Sequence, residues 1–160
     1  MLIDNKEILI RLEWVGPFSL GPNGIEPNRV DGFGPKQRDL KKYHRKPGFY
    51  IIVGDHPIYG ARSLLYIGQT KSFGRRFQEH YVWLSEEWRI EIYFAAYSKI
   101  NMFENIEKLL IYAHSPPYNS KNISDPIINP SMRIWNVGRY WKLFPEISSL
   151  HPWYSNNSKT

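Results

Sequence analysis

Two short runs, GFYIIV at residues 48–53 and LLYIG at 64–68, constrain this chain more than anything else in it. Both are apolar and rich in residues that favour strands, and both set a tyrosine close to a glycine: Gly48-Phe49-Tyr50 and Tyr66-Ile67-Gly68. Glycine weakens a strand, so its place inside one marks a bulge or a close approach by another backbone or a ligand. The intervening residues, 54–63, are polar and contain Gly and Pro, which makes a β-hairpin the natural reading. Tyr50 and Tyr66 then lie on neighbouring antiparallel strands and are placed to share one side of the sheet.

The rest of the chain falls around this hairpin. Residues 7–20 look like one or two strands ended by Gly16-Pro17, and the Gly/Pro-rich stretch 21–35 reads as an irregular loop. After the hairpin, Phe73, Phe77 and Leu84, with Tyr81 between them, recur at helical spacing, and Ser72 is placed to cap that helix. Residues 88–97 alternate Arg89, Glu91 and Tyr93 against Ile90, Ile92 and Phe94, the pattern of a half-buried strand. A second helix spans 102–114, with Phe103, Ile106, Leu110 and Ala113 as its buried stripe, and Pro116-Pro117 stops it. Beyond it the reading is loop-rich, with a strand at 132–137, a helical turn near 139–148 and a frayed polar tail. Trp135, Trp141 and Trp153 are expected to pack as a lid on the sheet, with base stacking on a single strand as the sharper alternative.

Composition narrows the function classes. The 160 residues suit one compact domain, and 42% hydrophobic content is enough for a core. With no cysteine, the chain has no disulfide framework, no thiol nucleophile and no cysteine-based zinc site. Asp4, Lys6 and Glu7 interrupt any apolar leader core, and no run approaches the ~18 apolar residues of a membrane span, so the expectation is a cytoplasmic protein without a membrane partner. A net charge of +6 favours a polyanionic partner, nucleic acid first. Six of the positive charges, Lys36, Arg38, Lys41, Lys42, Arg45 and Lys46, crowd the segment just before the hairpin.

Taken in order, these residues resemble the GIY-YIG endonucleases. The family pattern is Gly-x-Tyr, a short hairpin, Tyr-x-Gly, an arginine ten residues after the second tyrosine, a glutamate on a helix, and an asparagine twelve residues further on. The matching positions are Tyr50, Tyr66, Arg76, Glu107 and Asn119. The stretch IEKLLIYAHSPPYN, residues 106–119, is similar to the corresponding segment of the excision-repair members, although Gln69 stands where those carry lysine. The resemblance spans about residues 47–120, flanked by an N-terminal elaboration with the basic arm, 1–46, and an aromatic-rich extension, 121–160. It implies an α/β (α+β) fold, a small, mainly antiparallel three-stranded central sheet flanked by helices. It also implies hydrolysis of DNA phosphodiesters at a single-metal site, with Mg²⁺ as the cofactor and Mn²⁺ able to substitute.

The chemistry can be built from the residues as well. Phosphodiester hydrolysis needs a base to activate water, and positive charge for the developing oxyanions and the leaving oxygen. A Mg²⁺-class ion keeps several waters, so one carboxylate can hold it; Glu107 suits that role. Arg76 brings a permanently charged fork for phosphate oxygens and shares a helix face with His80. Arg76 and His80 are expected to lower the Tyr50 pKa and let it act as general base, the role that the resemblance assigns it. Tyr66 positions water or phosphate, Asn119 fixes the geometry, His80 relays a proton or touches phosphate, and the glycines admit the substrate backbone. Lys71 and Arg75 join the basic arm as backbone contacts; four arm charges on duplex DNA would give a salt slope near ~3.6. The expected partner is DNA, duplex or single-stranded, with a homodimer on a palindromic site and restriction-type cleavage as the first guess. The alternatives are a non-catalytic nucleic-acid-binding module and an RNA-cleaving toxin.

Overall fold

The computed structural model describes residues 7–21, 24–27, 37–79, 90–120 and 126–150. The strands in chain order are β1 (Ile8–Gly21), β2 (Gly24–Pro27), β3 (Gly48–His56), β4 (Gly60–Thr70), β5 (Glu91–Ala96), β6 (Met132–Gly138) and β7 (Glu146–Ser148). The helices are α1 (Gln37–Tyr43), α2 (Phe73–Glu79) and α3 (Phe103–His114), the last entered through a 3₁₀ turn at Ile100–Met102. Among the described residues the strands form one seven-stranded sheet in the order β4-β3-β5-β1-β6-β7, with β2 added to β1.

This overturns the expected three-stranded, mainly antiparallel sheet flanked by helices. Strands β4, β3 and β5 are antiparallel neighbours, but they form one side of a wider, mixed sheet in which β1 and β6 run parallel from Ile8↔Met132 to Trp14↔Gly138. The reason lies in β5. Its alternating pattern reads as half-buried, yet Ile92, Tyr93, Phe94 and Ala95 are all buried. β3 pairs along one edge of β5 and β1 along the other, and apolar layers cover both faces.

Local corrections follow the same logic. β1 runs through Gly16-Pro17 and only shifts register between Val15 and Phe18, because proline removes one ladder donor without ending the strand. Past that point β1 exchanges β6 for β2, which pairs from Phe18↔Pro27 to Gly21↔Gly24 within the stretch expected to be irregular. The hairpin strands extend well into the expected loop and leave only residues 57–59 as the turn. The His56 ring accepts the Ile58 and Tyr59 N–H groups there, at 3.1 Å each. Instead of a helical turn, residues 146–148 form β7, whose partner strand β6 joins it through the Arg133–Glu146 ion pair. Ser72 does not cap α2 with its hydroxyl, which donates to the His44 carbonyl at 3.2 Å. The side chain of Phe77, and Tyr81, Leu84 and Trp153, lie outside the described residues.

Two cores lie on opposite faces. On one, α3 sets Phe103, Ile106, Leu109 and Leu110 against Phe49, Ile51 and Ile67, with the Phe49 and Phe103 rings 4.9 Å apart. On the other, Phe73 of α2 stacks on Phe94 at 4.1 Å and meets Phe18 edge-on at 5.3 Å, beside Tyr50 and Ile52. Each fully buried ring or aliphatic side chain of this kind stabilises the fold by about 1.5–3 kcal/mol. Trp135 and Trp141 are exposed, so they do not form the expected lid. Among the described tryptophans the buried one is Trp14, whose indole N–H donates to Asn136 Oδ1 at 2.8 Å.

The segment after β6 is clamped through the Phe144 peptide. Asn136 Nδ2 donates to its carbonyl and His114 Nε2 accepts its N–H, both at 2.8 Å, while His114 Nδ1 donates to the Leu110 carbonyl at 2.7 Å. His114 is thus held neutral, and burial pushes its pKa down to about 4. The unfolded chain takes up that proton near the ordinary ~6.5, so the folded state loses ground as pH falls from there toward 4, by up to about 1.4 kcal/mol per pH unit. The urea midpoint of the wild type is therefore expected to fall faster than that of His114→Gln between pH 7 and 4.5. Parallel midpoints across that range would show that His114 is not held neutral.

Candidate active site

The site forms where β3, β4, α2 and α3 meet. In the hairpin register Tyr50 faces Gly68 and Ile52 faces Tyr66, so the two tyrosines sit diagonally on one face. Their rings stack at 5.9 Å with an interplanar angle of 29°. A Cβ at Gly68 would overlap the Tyr50 ring and hydroxyl and crowd Tyr66, and one at Gly48 would strike the Ala95 carbonyl. The glycines therefore admit a tyrosine ring and a neighbouring strand, where sequence reasoning assigned them to substrate backbone. Phe73 anchors α2 over this face and brings Arg76 to Tyr50, whose hydroxyl accepts from Nε at 3.3 Å.

Strand β4 is the sheet edge, and the segment around it satisfies its outward groups. The Tyr118 N–H donates to the Leu65 carbonyl at 3.1 Å. The Asn119 side-chain amide accepts from the Ile67 N–H at 3.0 Å and donates to the Ile67 carbonyl at 2.9 Å, imitating one residue of a partner strand. Next along the edge lies Gln69, whose backbone and side chain favour the ionised form of the Glu107 carboxylate. Glu107 lies beside the buried stripe of α3 and approaches the site around this edge, within the electrostatic reach of Arg76. Asn119 thus reaches the site through the strand that it closes.

Electrostatics departs from expectation at Tyr50. Burial raises its pKa far above the ordinary phenol range; Tyr66 adds to the rise, and Arg76 offsets only part of it. The expected lowering does not occur, because a phenol at 1% exposure loses more hydration than one guanidinium returns. Burial also raises the Glu107 pKa, against the lowering effects of Gln69 and Arg76. A half-buried carboxylate whose ionised form Gln69 and Arg76 favour retains lone pairs for a hard cation, so Glu107 fits a Mg²⁺-class ion that keeps most of its waters. It would be held there as the one carboxylate ligand.

Beside Gln69 opens a cavity of about 450 Å³, lined by Gln69, Thr70, Lys71, Ser72, Arg75 and Arg76, with no acidic residue among them. Of the predicted backbone contacts, Lys71 and Arg75 line this cavity, and Lys41, Lys42, Arg45 and Lys46 are exposed at the end of α1 and the turn after it. Lys36, the Arg38 side chain and His80 lie outside the described residues. Sequence reasoning noticed Gln69 only as a departure from a family lysine; its position directly after Tyr66-Ile67-Gly68 was the available signal. Comparison with protein-family models, curated proteins and solved structures finds no match. Among the described residues no helix is long and apolar enough to cross a membrane.

Proposed function

We propose that this protein is a metal-dependent endonuclease of the GIY-YIG kind, hydrolysing DNA phosphodiester bonds. One observation carries the proposal: Tyr50, Tyr66, Arg76 and Glu107 come from four separate elements and converge at the end of β4, beside a cavity lined by three cations. The support is the site, since the sheet is wider than the resemblance implies.

In this proposal Arg76 meets the charge that develops on the phosphoryl oxygens. A divalent ion at Glu107, Mg²⁺ or Mn²⁺, supplies Lewis-acid stabilisation when bound. Tyr66, less buried than Tyr50, orients water or phosphate. Tyr50 orients the guanidinium of Arg76 and takes a proton only if the bound substrate and ion bring its pKa down. The raised pKa of Tyr50 also favours a second reading, a nucleic-acid-binding module without catalysis.

A cleavage assay separates them. Plasmid, single-stranded circular DNA and RNA are incubated with the protein and Mg²⁺, Mn²⁺ or chelator. The proposal expects metal-dependent DNA fragments. Salt-sensitive binding with no cleavage of any substrate would leave the binding module, and cleavage of RNA alone would point to a ribonuclease. If Tyr50 is the general base, Tyr50→Phe costs on the order of 10²–10⁴-fold in rate and removes one limb of the pH profile. If it only orients Arg76, the profile keeps its shape.

A further inference from the structure

We infer that the turn after α1 and the cation-lined cavity form one continuous track for a nucleic-acid backbone, leading away from the proposed cleavage site. The inference rests on the nuclease reading for where the track begins, and adds the path the strand takes. The two basic segments are remote in sequence, and the fold joins them by backbone bonds. The Phe73 N–H donates to the Lys46 carbonyl at 3.1 Å, and the Gly74 N–H to the His44 carbonyl at 2.8 Å. The Ser72 hydroxyl donates to that same His44 carbonyl. Gly74 leaves the room in which the His44 ring sits, since a Cβ there would overlap the ring. Segments locked in this way present their charges at fixed separation, which suits a regularly spaced row of phosphates.

The side chains are placed as well. Lys42 and Lys46 hold their ammonium groups over the single ring of Tyr43, at 5.3 and 5.8 Å from its centroid, and Tyr43 is itself fixed edge-on against Phe94 at 6.0 Å. On the other side of the junction, Lys71 and Arg75 line the cavity that starts at Gln69, the residue that favours the ionised Glu107 carboxylate. The order of features is therefore Glu107, Gln69, the cavity with Lys71 and Arg75, then the turn with Lys46 and Lys42. A row of cations of this kind contacts the phosphodiester backbone and carries no base sequence.

The test is the salt dependence of duplex-DNA binding by the full chain, read by fluorescence anisotropy in chelator. Each cation that neutralises a duplex phosphate contributes about 0.9 to the slope of log affinity against log salt. Lys71→Gln/Arg75→Gln and Lys42→Gln/Lys46→Gln are each expected to lower the slope by about 1.8, and the fourfold variant by about 3.6. All four residues are exposed, so the variants are expected to fold, and circular dichroism is the check on each. An unchanged slope in the turn variant would overturn the track, as would a fourfold variant no lower than either pair, which marks two alternative sites. Because no cleavage is read, additive slopes from a protein that cuts nothing would keep the track and overturn only the nuclease reading.

Discussion

Glu107→Gln is expected to reduce metal-dependent cleavage on the order of 10²–10³-fold, the rate equivalent of losing about 3–4 kcal/mol of Lewis-acid stabilisation. Its effect on stability should have the opposite sign. Burial raises the Glu107 pKa above the ordinary carboxylate range, so the folded state favours the protonated group. That contribution is full at low pH and is lost as pH rises through the raised value, leaving the ionised carboxylate a net cost at neutral pH. Glutamine keeps the side chain's size and an acceptor oxygen and carries no charge to desolvate. A urea midpoint at or above that of the wild type, alongside lost cleavage, would mark a site that sacrifices stability for chemistry. Lost cleavage with a lowered midpoint would make Glu107 a structural residue, and cleavage at the wild-type rate would remove it from the site.

The second large effect concerns the two glycines of the hairpin, which should fail differently. At Gly48 a Cβ strikes the Ala95 carbonyl and the Ala96 backbone, and neither can turn away, so Gly48→Ala must part β3 from β5. A cost of about 3 kcal/mol or more, at the upper end for overpacking, is expected in chemical denaturation. At Gly68 the added carbon meets side chains, the rings of Tyr50 and Tyr66, which can move only by leaving the stack. Gly68→Ala should cost less stability, about 1–3 kcal/mol, while separating Tyr50 from Arg76 and abolishing cleavage. Equal stability losses at the two positions would mean that the hairpin yields as a unit. Retained cleavage in Gly68→Ala would show that the tyrosine stack is not needed for the reaction.

The hairpin and the basic run before it were open to local reasoning, because residue type and neighbours decide them. Tyr50 shows the limit. Its identity and strand are evident in GFYIIV, and its face follows from strand alternation. Its ionisation is not, since that depends on a helix from another part of the chain, an aromatic core around it and 1% exposure. His114 repeats the lesson: nothing in its local sequence shows that both ring nitrogens bond backbone, at Leu110 and Phe144.

By itself the sequence determined the hairpin, the shared face of Tyr50 and Tyr66, the helix that bears Glu107 and the basic character of the segment before the hairpin. Periodicity, glycine placement and charge are local, and they act before any tertiary contact is made. Tertiary structure alone decided that β1 and β6 enter the sheet, that Asn119 closes the β4 edge, that His44 seats on Gly74 and that Tyr50 is held protonated. Pairing partners and burial come from long-range packing, and a sheet edge accepts whichever strand the whole chain can bring to it.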